Sequence, residues 1–154
     1  MAGQPQAAPW ISFNVTGLTV TEPPPSLAPS TIIPRTGSFV MGAQFVVDYV
    51  FGKGLNDLIV GGLPVFEYNV SYYAESIGPG TEWTGSPPAV SCILGNYTYG
   101  AAQTSLTVSA MSLTPGTYKT TCVVKMSPRG GSSGGFPFHV VGFVEGPMIE
   151  IYQP

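Results

Sequence analysis

Phe66, Tyr68, Val70, Tyr72 and Ala74 alternate without a break with Glu67, Asn69, Ser71, Tyr73 and Glu75. A period of two places each set on its own face of an extended chain, whereas a helix would scatter both. The stretch therefore reads as a half-buried strand of an antiparallel sheet, dry on one face and wet on the other. Tyr118, Thr120, Cys122, Val124 and Met126 repeat the pattern against Lys119, Thr121, Val123 and Lys125. Both lysines fall on one parity, and that fixes the solvent face.

The rest of the chain is built of the same material. Val, Ile and Thr together number 38 against eight Leu, and 20 Gly and 16 Pro supply turns. Residues 38–51 place Phe39, Met41, Ala43, Phe45, Val47, Tyr49 and Phe51 on a core face, with Val40, Val46 and Val50 among Gln44 and Asp48 on a partly wet one. Residues 10–20 put Ile11, Phe13 and Val15 on one parity and Leu18 and Val20 on the other. Such a change needs a bulge or a crossing between sheets, and Gly17 stands at the join. Thr21 to Gly37 holds five prolines, which withhold ladder donors, so it is expected to be an ordered extended loop or a poor edge strand.

Weaker strands are expected at 89–99 and 104–111, and a long final one from Phe136 to Tyr152, broken near Gly146-Pro147. Its end, Met148–Tyr152, carries a single Glu and is expected either to complete its own sheet or to join a partner's. Leu55–Val60, between glycines, is a single turn or a short strand, and 127–135 is a flexible hairpin loop. No helix-period segment exceeds a turn or two. The prediction is an all-β, antiparallel two-sheet sandwich of seven to nine strands, a single domain over 1–154. Phe45, Val47, Tyr68, Val70, Leu106, Val108, Tyr118, Cys122 and Val124 are its expected core.

Leu106-Thr-Val108, followed by Leu113-Thr-Pro-Gly-Thr-Tyr-Lys-Thr-Thr-Cys-Val-Val124, resembles the sixth and neighbouring strands of immunoglobulin-like and fibronectin-type domains. The resemblance extends as a pattern over about two-thirds of the chain and implies an Ig-like β-sandwich. In those families a tyrosine near the start of the sixth strand closes a corner with its hydroxyl, and Tyr118 holds that place. The second strand has no Cys and the third no Trp, so the inter-sheet disulfide and its packed Trp are missing.

Charge narrows the function. Five basic and eight acidic residues make 8% of the chain, with a net charge of -3. That offers no basic footprint for nucleic acid. No apolar run is long enough to span a membrane as a helix, and no secretory signal is visible at the N-terminus. The chain is expected to be cytoplasmic or part of an extracellular or particle assembly.

Few residues suggest chemistry. Cys92 and Cys122 both lie on apolar parity, as unpaired core thiols or as a disulfide worth roughly 3–4 kcal/mol on the chain-entropy account. A disulfide requires the 89–99 strand to neighbour the 117–126 strand. His139 is the sole histidine, too little for a zinc site or a named Cys-His pair. Glu67 and Glu75 lie about 26 Å apart along one strand, too far for paired acid catalysts. No enzyme activity, cofactor or metal is expected. Aromatic rings are the abundant resource, and Trp10, Tyr73 and Trp83 are candidates for an exposed binding surface. The leading expectation is a structural or protein-interaction module, forming a homo-oligomer or docking on another protein. A carbohydrate-binding sandwich using those rings is the alternative.

Overall fold

The computed structural model describes residues 11–49, 66–91, 96–128 and 140–154. The sites expected at Trp10, Leu55–Val60, Cys92 and His139, and the 129–135 part of the glycine-rich loop, lie outside the described residues.

The described residues form two sheets packed face to face. In the four-stranded sheet, β1 (Ile11–Thr21) pairs with β3 (Ser38–Tyr49), whose other edge meets β7 (Thr98–Tyr99) and β8 (Leu106–Ser109). In the six-stranded sheet the order is β2 (Ile32–Pro34), β10 (Val140–Tyr152), β9 (Gly116–Pro128) and β4 (Phe66–Ser76). β4 then takes β5 (Trp83–Gly85) and β6 (Val90–Ser91) on its outer edge. Ten strands are present among the described residues, four of them only two or three residues long, against the seven to nine expected. The arrangement is an all-β sandwich consistent with an Ig-like or fibronectin-type pattern. One pairing departs from the antiparallel expectation: β2 runs parallel to β10, because the proline-rich segment after β1 carries the chain across to the other sheet.

Parity changes in β1 where Gly17 allows it: the register with β3 shifts between Val15 and Gly17, and both Val15 and Leu18 are buried. The final strand is likewise bulged between Glu145 and Met148. Gly146 makes room there for Leu18, since a Cβ at 146 would stand 2.6 Å from Leu18 Cδ2. Thr120 holds the bulge from below by donating to the Pro147 carbonyl at 2.6 Å. The end of the strand completes its own sheet, with Ile149 and Ile151 in the core.

Eight of the nine expected core residues are buried. The correction is Leu106, which is only partly buried. Its strand β8 has β3 alone beside it, and its side chain packs at the margin of the core. At the centre, Phe45 stacks on Tyr99 at 5.0 Å and meets Tyr68 of the opposite sheet edge-on at 5.2 Å. Tyr118 closes the expected corner by donating its hydroxyl to the Thr114 carbonyl at 2.7 Å.

The expected strand at 104–111 is shortened by a helical turn before it, α1 (Ala101–Thr104), and a 3-10 turn after it, Ala110–Ser112. The reason lies on β3. β8 pairs with Ser38–Met41 and β7 with Phe45–Val46, which leaves Ala43 in a gap of the ladder. The Ala43 N–H donates to both Tyr72 Oη and Thr104 Oγ1 at 2.9 Å, and Thr104 Oγ1 donates to the Ala43 carbonyl at 2.7 Å. Tyr72 in turn donates to the Thr104 carbonyl at 2.6 Å, so this buried network ties the two sheets together.

Candidate interaction surface

The outer face of the six-stranded sheet is set by register. Its rows run Met148–Lys119–Glu75, Glu145–Thr121–Tyr73–Thr84, Phe143–Val123–Ser71 and Val141–Lys125–Asn69. Lys119 and Lys125 are exposed, as their shared parity requires. Along β10 this face exposes Phe143 at 62%, Met148 at 53% and Val141 at 40%, with the charged Glu145 between Phe143 and Met148, and half-buried Val123 adjoins Phe143. Lys119 and Glu145 form an ion pair across β9 and β10. The Glu145 carboxylate raises the lysine above its ordinary pKa, chiefly through that hydrogen bond.

Tyr73 and Trp83, two of the candidate rings, belong to neighbouring strands but to different faces. Trp83 pairs with buried Ala74, on the inner face, and Tyr73 pairs with exposed Thr84, on the outer one. The Trp83 indole lies across Gly85, where a Cβ would stand 2.7 Å from Cζ2 and 3.2 Å from Leu106 Cδ2. A glycine is needed there for the ring to reach the edge of the core. Both residues line one open depression of about 510 Å³ at the β5 edge, together with Glu75, Glu82, Thr84 and Thr121.

Cys122 is a free, buried thiol, and burial pushes it up to about 11. β6, which precedes Cys92, pairs with β4 rather than with β9. Among the described residues no group of three or more His, Cys, Asp or Glu could hold a metal ion, and no helix is long and apolar enough to cross a membrane. The exposed row at Val141, Phe143 and Met148 was not singled out from the sequence. Its signal is the solvent parity of Lys119 and Lys125, but only the β9–β10 register carries that parity across to the final strand. In comparisons with known proteins, no family model and no curated protein matches the chain.

Proposed function

We propose that this chain is a non-catalytic structural or protein-interaction module that self-associates or takes a place in a larger assembly. The observation that supports it is the exposed apolar side chains of Val141, Phe143 and Met148 on the outer face of the six-stranded sheet, interrupted only by Glu145 in its ion pair with Lys119. Exposed apolar surface of this kind favours association, and a net charge of -3 opposes it only weakly. A single domain across 1–154 is part of the same proposal. Light scattering across micromolar concentrations tests it: a mass that stays at the 16.1 kDa of one chain removes self-association and leaves docking on a different protein.

A carbohydrate-binding role is the second reading, supported by the depression that Tyr73 and Trp83 share with two carboxylates and two threonine hydroxyls. Aromatic faces and polar groups together suit a sugar ring. Titration with neutral oligosaccharides, followed by tryptophan fluorescence in the parent and in Trp83→Phe, tests it; an unchanged signal in the parent removes it.

A further inference from the structure

Beside β10 runs a hydrogen-bonding edge that no described strand fills. Glu150 donates its N–H to the Thr31 carbonyl at 2.7 Å, and the Arg35 N–H donates to the Tyr152 carbonyl at 2.8 Å. The backbones of Glu150 and Tyr152 thus face β2, away from β9. In an antiparallel ladder this orientation recurs at every second pair. Thr117, Lys119, Thr121, Val123 and Lys125 of β9 are therefore alike, and their partners are Glu150, Met148, Glu145, Phe143 and Val141, the bulge absorbing the extra residue.

β2 occupies the far side of β10 only at 150–152. Upstream of the bulge, Val141, Phe143 and Glu145 turn three N–H and three C=O groups toward a side with no ladder partner among the described residues. β1 packs along β10 from the other sheet, but its ladder is with β3. Protective residues are also scarce: residues 140–146 contain no Lys, Arg or Pro, and Pro147 comes only at the bulge.

We propose, building on the self-association put forward above, that Val141, Phe143 and Glu145 pair antiparallel with the same residues of a second copy about a two-fold axis at Phe143. The two six-stranded sheets then continue as one. Groups two residues apart are their own complement under such an axis, and each of the three pairs exchanges both ladder bonds. Phe143 meets the second copy's Phe143 on the outer face, and Val141 meets its Glu145. Charge is complementary in the same register. Lys125 stands beside Val141, so it lies two strand spacings, about 9.5 Å, from the second copy's Glu145, within reach of two long side chains, and that carboxylate, already paired with its own Lys119, then lies between two ammonium groups. The symmetric contact repeats this on the other side of the axis.

The test uses Phe143→Lys and Phe143→Glu, changes at an exposed position, with molar mass measured by light scattering at micromolar concentration and folding checked by circular dichroism. The parent is expected at twice the chain mass and each variant alone at the single-chain mass, because like charges then face each other across the axis. An equal mixture of the two variants is expected to recover the doubled mass. As a readout on the parent, the amides of Val141, Phe143 and Glu145 should exchange slowly with solvent at concentrations where the doubled mass forms and rapidly on dilution. Variants that keep the doubled mass, a mixture that stays at the single-chain mass, or amides indifferent to dilution overturn this edge while leaving self-association standing. A single-chain mass for the parent overturns both.

Discussion

Met126 and Met148 sit on strands of one sheet and differ in everything but identity. Met126 is on the inner face at 1% exposure, among Tyr68, Val124 and the ring cluster, whereas Met148 is on the outer face at 53%. The same contrast separates Val124 from Val123 and Tyr72 from Tyr73, neighbours in sequence that point to opposite sides. The inner set closes the sandwich and the outer set is left to meet something else. Composition is no guide to which is which; only parity and register are.

The largest effect should come from Met126→Ala, which leaves a cavity in the packed core and is expected to cost about 2–5 kcal/mol in denaturant unfolding. A loss near zero would mean that the inner face is not tightly packed. Alkali should come next. Burial raises Cys122 to about 11 and Tyr72 to about 12, so the folded state holds both protons more tightly than the unfolded chain. The stability this contributes is complete below the unfolded pKa values, near 9 and 10, and is lost as pH rises through 11 and 12. The loss is on the order of 2 kcal/mol for each group. Unfolding midpoints measured from pH 8 to 12 should fall accordingly, and Tyr72→Phe should remove the upper part of the decline.

At neutral pH, Tyr72→Phe takes one donor from the Thr104 carbonyl and one acceptor from the Ala43 N–H, which retains Thr104 Oγ1. About 1–2 kcal/mol is expected by the same unfolding measurement. Cys122 should resist alkylation in the native protein and react in denaturant without added reductant, as intact mass will record. The smallest effect is Met148→Ala, expected within about 0.5 kcal/mol of the parent in stability. Should Met148→Ala match Met126→Ala, the contrast between the two faces would be lost.

Much of this division was legible in the sequence. Unbroken alternation at 66–75 and 118–126 puts Tyr68, Val70, Tyr72, Cys122 and Val124 on the dry faces, and of the two alternatives for the proline-rich stretch, loop or poor edge strand, the structure holds some of each, with a three-residue edge strand at Ile32–Pro34. Alternation also puts Tyr118 inside, while its corner role is what the resemblance implies, and its hydroxyl makes that bond to the Thr114 carbonyl. What escaped depends on pieces distant in sequence. The helical turn at 101–104 is stabilised by a vacancy on β3 that no local pattern records, and Leu106 is half-open because its strand has a neighbour on one side only. Trp83 and Tyr73 looked alike as exposed rings until pairing with Ala74 and Thr84 put them on different faces. The Val141–Phe143 row became visible only with the β9–β10 register.

The parallel pairing of Ile32 with Glu150 joins segments separated by about three-quarters of the chain. On a ribosome, β2 emerges early and has no partner until β10 has been released, so that edge of the six-stranded sheet is the last to close during synthesis. The β1–β3 ladder, much nearer in sequence, can form while the remainder is still being made. Contacts of such long span also slow the search for the native state, which places this chain among the slower-folding topologies for its size. Until the final strand arrives, β9 lacks its partner on one side, and that open edge is where nascent chains crowded on one message would meet one another.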